Sequence, residues 1–179
     1  MDNYYYMAID EKQDVTRSAM FIFLNKTCFR GVYRIGPNGF NVPYGHYKTT
    51  NILDKHTILE ISNLINNVHF RCMGFEESIG KIKSGDFAYL DPPYAPENAT
   101  SFVKYNLAGF GIEQHKKLFS MCEKLMSSQI NFMMSNSNVK LVTDAFPSDK
   151  YFTEIIECRR AIHSKNPSAR ANEIIIKSF

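Results

Sequence analysis

Apolar and polar residues follow two periods along this chain, one typical of amphipathic helices and the other typical of strands. The apolar block in VTRSAMFIFLNK predicts a helix that Asp14 caps and that ends near Cys28. Apolar residues at helical spacing in IEQHKKLFSMCEKLMSS predict a second long helix. Shorter helices are expected from about Leu53 to Asn66, from Glu76 to about Asp86, and from about Asn138 to Phe146.

Strand-forming residues occur in short runs between these helices. The predicted strands are VHFRCMGF, FAYL, INFMM, YFTEIIEC and NEIIIKSF. Because strands alternate with helices, the pattern predicts an α/β fold with a largely parallel sheet. The segments DPPY and SNS follow FAYL and INFMM, so both are expected at the carboxyl ends of strands, where ligands collect in such sheets.

A different pattern occurs in FRGVYRIGPNGFNVPYGHYK, where β-forming residues stand on either side of GPNG. Gly and Asn tolerate the positive φ angles that a tight connection requires. The pattern therefore predicts a hairpin or an irregular loop over about residues 28–48, rich in Arg, Tyr and Phe.

The composition is that of a soluble protein. A chain of 179 residues, 44% of them hydrophobic, is long enough for one domain with a core and too short for two of ordinary size. No apolar run approaches the length of a membrane span, and the N-terminus does not resemble a secretory signal. We therefore expect a cytoplasmic protein. The four cysteines have no CxxC spacing, which argues against a zinc site and against a disulfide framework.

The net charge of +3 conceals a segregation of charge along the chain. Two windows, between Asp14 and Asp54 and between Glu157 and Glu173, hold 9 of the 21 basic residues and none of the 18 acidic ones. Clustered positive charge favours a polyanionic partner, because binding to phosphates releases counterions. A basic, solvated surface without a partner would give the same pattern, so charge alone leaves both interpretations open.

The stretch YLDPPY combines a carboxylate, two prolines and an aromatic ring at the end of a predicted strand. Proline fixes its own φ and restrains the preceding residue, so Asp91 and the carbonyl of Pro92 form a rigid pair of acceptors. Such a pair can receive both hydrogens of an exocyclic amine and favour the pyramidal form that attacks an electrophilic methyl group. Tyr94 would stack on the base, which must be flipped out of a duplex to be reached.

The motif DPPY resembles that of S-adenosylmethionine-dependent methyltransferases that modify amino groups in DNA. The order FNVPYG, then DPPYAP, then MMSNS, then RRAIHS and NEIII is similar to the Dam type of adenine-N6 methyltransferase over nearly the whole chain. The resemblance implies a partial Rossmann-like methyltransferase sheet with an inserted target-recognition subdomain. It places target recognition in residues 1–56 and the catalytic core in residues 57–179. It also implies S-adenosylmethionine as the cofactor and double-stranded DNA as the partner.

The resemblance assigns catalytic roles to Asp91, Pro92, Pro93 and Tyr94. Asp91 and the Pro92 carbonyl would hold the target amine, and Tyr94 would stack on the flipped adenine. Gly74 and Phe75 match positions that border the adenine of the cofactor, and Asp91 also borders it.

The resemblance further implies a set of DNA-contacting residues. Those of the recognition hairpin are Phe29, Arg30, Val32, Arg34, Pro43 and His46; Ser135 and Asn136 match a polar turn near the DNA backbone, and Arg159 and Arg160 begin a basic, phosphate-contacting loop. The family often has Arg or Lys where this chain has His46, and Asn where it has Arg30. The recognised DNA sequence therefore stays open.

The family also uses a glycine-rich turn, FxGxG, at the methionine end of the cofactor. The closest match here, Gly109-Phe110-Gly111, lies downstream of DPPY, where the family has an ordinary loop. We therefore expect this chain to lack the N-terminal cofactor-binding segment, either as a fragment, as half of a split enzyme whose second chain supplies that segment, or as an inactive copy.

Two other interpretations remain. The chain could be a DNA-binding module without catalytic activity, which uses the hairpin and the basic loop but holds no cofactor. Cytosine-N4 and glutamine methyltransferases carry related motifs, but they usually have Ser or Asn before the prolines, so Asp91 and the hairpin both argue against them.

Overall fold

The computed structural model describes residues 11–96, 110–159 and 170–179. The chain divides into two compact units, Met1–Phe70 and Arg71–Phe179. The boundary expected from the sequence, between residues 56 and 57, lies inside a helix of the first unit.

The described part of the first unit consists of two helices and a small hairpin. Helix α1 spans Glu11–Thr27, a 3-10 turn follows at Phe29–Gly31, and α2 spans Lys55–Leu64. Asp14 lies within α1, so its predicted role as the cap is wrong. Asp54 caps α2 instead: its Oδ1 accepts a hydrogen bond from the Thr57 amide at 3.1 Å. That bond holds the pKa of the Asp54 carboxyl below its usual value.

The predicted hairpin is present but short. Strand β1, Ile35–Gly36, pairs antiparallel with β2, Gly39–Phe40, and Pro37 and Asn38 form the connection between them. Gly39 has φ 91°, a conformation that glycine adopts without the cost of a Cβ clash. The turn predicted from GPNG is therefore confirmed. It could be predicted because it depends on the backbone conformations that Gly and Asn tolerate locally.

The second unit contains the sheet. Its elements are α3 (Phe75–Ile79), β3 (Phe87–Leu90), α4 (Ile112–Ser127), β4 (Asn131–Ser137), α5 (Lys140–Ala145), β5 (Phe152–Arg159) and β6 (Arg170–Lys177). The predicted α/β class is confirmed. The strand expected at VHFRCMGF does not form. This segment has no partner strand among the described strands, and its Val68 and Phe70 side chains are exposed.

The sheet has the order β3-β4-β6-β5 and is mixed rather than largely parallel. Among the strands that the structure describes, β3 and β4 are the one parallel pair; β4 with β6 and β5 with β6 are antiparallel. The β5–β6 register places Arg159 opposite Arg170. The intervening residues, 160–169, are fewer than the dozen or so that a parallel crossover needs, so the chain must return antiparallel.

One hydrophobic core holds this unit together. It joins strand residues to one stripe of α4 and to α5; its members include Ala88, Phe132, Met134, Ile174 and Ile176 from the sheet and Leu118, Cys122, Leu125 and Val142 from the helices. Burial raises the pKa of the Cys122 thiol to about 12, so this side chain is a neutral core thiol. Alternate residues of β3, Phe87 and Tyr89, are exposed.

The four cysteines are unpaired: Cys28 and Cys122 are buried, Cys158 is half-buried and Cys72 is exposed. Two of the four thiols are therefore buried in the interior. None of the helices in the described part of the chain has both the length and the apolar character that a bilayer crossing requires.

Candidate active site

The DPPY segment leaves the sheet at the end of β3, next to the parallel strand β4. Asp91 is exposed, Pro92 is half-buried and Pro93 is exposed. Since β3 and β4 are parallel, their carboxyl ends meet at one edge of the sheet, and Asp91 and Ser135 come together there as the sequence led us to expect.

A chain of hydroxyl groups holds the Asp91 carboxylate. The Tyr89 hydroxyl donates to Ser135 Oγ at 3.3 Å, and Ser135 Oγ donates to Asp91 Oδ1 at 3.0 Å. Ser135 is 3% exposed, so it is a fixed donor rather than a mobile surface hydroxyl. The carboxylate is thereby oriented through Oδ1 while the residue itself remains exposed.

Tyr94 is held at its far end by the last strand. Its hydroxyl donates to Glu173 Oε2 at 3.3 Å. Burial raises the pKa of the Tyr94 phenol, and the nearby carboxylates of Glu173 and Asp91 act in the same direction. The side chain is therefore a neutral, half-buried ring with a fixed tilt at neutral pH.

Asn136 fixes the backbone just after Tyr94. It is 0% exposed, and its Oδ1 accepts hydrogen bonds from the amides of Ala95 at 2.8 Å and Ser137 at 2.9 Å. Its Nδ2 is buried without a hydrogen-bond partner among the described residues. Ser135 and Asn136 thus lie inside β4 and do not form the polar turn expected from the sequence, because the backbone of β4 stays paired with β6 as far as Ser137.

A cleft of about 260 Å³ lies beside Asp91. Its lining residues are Phe75, Ser78, Ile79, Tyr89, Leu90, Asp91, Pro92, Pro93, Phe110 and Leu118. Phe75 and Phe110 meet edge to face, with ring centroids 5.6 Å apart. Gly74, which caps α3, has nothing within 4 Å of the position a Cβ would take. An apolar, aromatic cleft with one carboxylate fits a flat, nitrogen-rich ring such as the adenine of S-adenosylmethionine.

The first unit contains the predicted hairpin residues, and two of them adopt unusual backbone conformations. Arg30 has φ 55° and His46 has φ 53°. The Arg30 amide donates to the Tyr47 hydroxyl at 2.7 Å, and the Arg30 guanidinium lies 5.2 Å from the centroid of the Phe29 ring. Positive φ costs free energy for residues other than glycine, so these contacts maintain a specific loop shape.

Hydrogen bonds of the other hairpin residues connect the two sides of this loop. Arg34 Nε donates to Asn41 Oδ1 at 2.8 Å, and an Arg34 terminal nitrogen donates to the Asn41 carbonyl at 3.2 Å. The Pro43 carbonyl accepts from the Phe29 amide at 2.8 Å, and Val32 follows the 3-10 turn. Phe29, Arg34, Pro43 and His46 are exposed, so their side chains are accessible.

Two of the residues predicted to contact DNA lie partly or wholly outside the described residues. Arg159 is the last residue of β5, and its side chain is outside the described residues. Arg160 and the rest of the basic loop are outside them as well.

Comparison with known proteins identifies the family. The family model for the D12 class N6 adenine-specific DNA methyltransferases matches residues 1–162. This chain belongs to that family. The resemblance found in the sequence is therefore confirmed at the level of the family.

Curated relatives of this chain are DNA methyltransferases as well. It is 35% identical to the type II methyltransferase M1.LlaDCHI of Lactococcus lactis over 96% of this chain and 61% of the relative. It is 41% identical to the type II methyltransferase M.MjaIII of Methanocaldococcus jannaschii over 69% of this chain and 44% of the relative. It is 29% identical to the DNA adenine methylase of Escherichia coli K12 over 83% of this chain and 53% of the relative. The chain thus spans about half the length of the curated relatives it matches.

Sequence reasoning missed three residues that orient the DPPY segment: His115 and Glu173 contact it directly, and Tyr89 acts through Ser135. The sequence predicted Tyr89 as part of the strand FAYL and gave it no role in the site. Nothing in the sequence links Tyr94 to Glu173, 79 residues away. A polar residue among the isoleucines of NEIII was the one available signal.

Proposed function

We propose that this chain carries the catalytic motif and the DNA-recognition part of an enzyme that transfers a methyl group from S-adenosylmethionine to the exocyclic amine of adenine in a short duplex DNA site. The observation that supports this most directly is the exposed Asp91 carboxylate at the end of β3, which Ser135 holds at 3.0 Å through Oδ1. Ser135 leaves Oδ2 as the acceptor for substrate.

The chemistry follows from these acceptors. The lone pair of adenine's amine is delocalised into the ring, which makes the amine a poor nucleophile. Asp91 Oδ2 and the Pro92 carbonyl accept its two hydrogens and favour the pyramidal nitrogen, and the carboxylate stabilises the positive charge that develops there. Tyr94 stacks on the extruded base. Bound S-adenosylmethionine supplies the methyl group.

For the cofactor, we propose that its adenine lies in the cleft beside Asp91. Phe75 and Phe110 provide apolar, aromatic contact there, and Gly74 leaves room at the start of α3. These residues bind and orient the cofactor's adenine and exclude water from one side of Asp91.

For the DNA, we propose that the recognition hairpin contacts the duplex through Phe29, Arg30, Val32, Arg34, Pro43 and His46. Arg34 is exposed, and its guanidinium has more donors than its two bonds to Asn41 use. Arg159 and Arg160 are proposed to contact phosphates. Ser135 and Asn136 act indirectly in this proposal, by holding the DPPY segment.

A further polypeptide, in the same chain or in a second one, is part of the proposal. Among the described residues β3 pairs only with β4, which leaves its other edge without a partner strand. An unpaired edge flanked by the exposed Phe87 and Tyr89 favours pairing with additional polypeptide. The cytoplasmic location expected from the sequence stays a prediction.

The proposed function is tested with duplex DNA and labelled S-adenosylmethionine, using this chain and the longest polypeptide that its gene encodes. We expect label on the N6 atom of adenine. Salt-sensitive duplex binding without any transfer would instead select the DNA-binding module, and label on cytosine would reject the assignment to adenine.

We further propose that the Arg34 guanidinium contacts a DNA phosphate, and this gives a second expectation. Replacing Arg34 by glutamine should weaken binding to all duplex sequences and reduce the slope of log K against log salt concentration by about 0.9, the value for one phosphate contact. Arg34→Lys should keep most of the slope because it keeps the charge. Lys116→Gln, which removes an exposed charge from α4, serves as the control. An unchanged slope in Arg34→Gln would exclude a phosphate contact.

A further inference from the structure

His115 lies in the first turn of α4 and contacts the DPPY segment. It is 1% exposed. Its Nε2 is 3.0 Å from the Pro93 carbonyl oxygen, and its Nδ1 is 2.9 Å from the Gly111 carbonyl oxygen. The rings of Phe110 and Phe119 pack against it edge to face, with centroids at 4.8 and 5.9 Å. A phenylalanine would fill the same space, so burial alone does not explain an imidazole here.

The two carbonyls differ in what else they bond to. The Gly111 carbonyl already accepts the His115 amide at 3.1 Å. The Pro93 carbonyl has no other donor among the described residues. A carbonyl oxygen only accepts, and a neutral imidazole has one N–H. In a neutral ring, one nitrogen lone pair must therefore face a carbonyl oxygen. A proton on Nε2 sets that lone pair against the Gly111 carbonyl, which already has a donor, whereas a proton only on Nδ1 would leave the Pro93 carbonyl without any donor among the described residues.

We propose that His115 is a positioning residue of the catalytic motif, in which Nε2–H donates to the Pro93 carbonyl and fixes the peptide between Pro93 and Tyr94. A peptide unit is planar, so the direction of the Pro93 carbonyl sets the direction of the Tyr94 N–Cα bond. Glu173 holds the other end of Tyr94, and Asn136 holds the following amide. His115 completes these anchors on the N-terminal side of the ring.

This role concerns the geometry of Tyr94 rather than the stability of the core. The catalytic consequence rests on the proposed function, because a misplaced ring matters only if a base stacks on it. The hydrogen bond between His115 and the Pro93 carbonyl does not depend on the proposed function, so it is tested by measurements that need no methyl transfer.

The first measurement is a nitrogen-15 spectrum of the imidazole side chains in the full chain. The chain has 5 histidines, and through-bond correlations from each imidazole to the backbone of the same residue assign the His115 signal in the wild-type protein. We expect Nε2 of His115 to carry a proton. A proton on Nδ1 with an unprotonated Nε2 would overturn the proposal, and this wild-type spectrum decides the question even if a variant fails to fold.

The second measurement compares two amides of different reach at the same position. The side-chain amide of His115→Gln can take the place of Nε2, whereas that of His115→Asn reaches only the place of Nδ1. We expect hydrogen exchange of the Ala95 amide to accelerate about tenfold or more in His115→Asn and to stay near the wild-type rate in His115→Gln. Exchange in β4 serves as the internal control, and equal exchange at Ala95 in both variants would contradict the assigned role.

In the methyl-transfer assay, we expect His115→Asn to lower the turnover number by about ten- to a hundredfold and His115→Gln to restore most of it. If wild-type protein transfers no methyl group, the proposed function fails while the spectrum and the exchange data still test His115. If wild-type protein is active and both variants retain its rate, the positioning role fails alone.

Discussion

Replacing Asp91 by asparagine is expected to reduce methyl transfer to adenine on the order of a thousandfold, the range found when an aimed polar group at a reacting centre is removed. Asparagine has the same shape, and its oxygen can still accept from Ser135 Oγ, 3.0 Å from Asp91 Oδ1. The charge is lost, and an NH₂ group replaces the oxygen that faces the substrate. The amide's hydrogens would oppose those of the adenine amine.

The measurement is the rate of labelled methyl transfer by the longest polypeptide that the gene encodes, together with its thermal unfolding temperature. We expect the unfolding temperature to stay close to that of wild type, because Asp91 is exposed. Asp144→Asn is the matched control: it makes the same change at an exposed carboxylate, paired with Lys140 on α5. A rate within about tenfold of the control would remove Asp91 from the mechanism.

Replacing Phe132 by alanine is expected to lower the free energy of unfolding of the unit Arg71–Phe179 by about 3–5 kcal/mol. Phe132 is 0% exposed in β4. Its ring lies 6.4 Å from that of Phe146 and 6.3 Å from that of Tyr151. Removing it leaves a cavity among rings that cannot collapse into the space, so the loss combines transfer free energy with lost packing.

Denaturant titration followed by near-ultraviolet circular dichroism measures this loss. Phe152→Ala is the control, since Phe152 lies in β5 of the same sheet and is 59% exposed. The Lys177 ammonium lies 4.8 Å from the centroid of this exposed ring, so we expect a cost of at most about 1 kcal/mol. Equal losses of unfolding free energy in the two variants would contradict the prediction that Phe132 of β4 contributes more to the core than Phe152 does.

Much of the fold was accessible from local pattern. The apolar stripe of α4, the short β-forming run of β3 and the GPNG turn each depend on residues close together in sequence, and the structure has all three where they were expected. The motif DPPY was also placed correctly at a strand end. The residues next to it were predicted less accurately. The SNS residues continue β4 instead of ending it, because their backbone pairs with β6.

The sequence by itself determined the family, the α/β class and the position of the Asp91 carboxylate after a strand, because residue type and spacing carry that information. Only the tertiary structure decided the mixed sheet, the missing strand at residues 68–75 and the contacts that orient the motif. Strand direction and strand formation depend on which strands become neighbours, and no local period encodes that. Ser135, His115 and Glu173 lie 44, 22 and 79 residues from the groups they hold, so their roles exist only once the chain has folded.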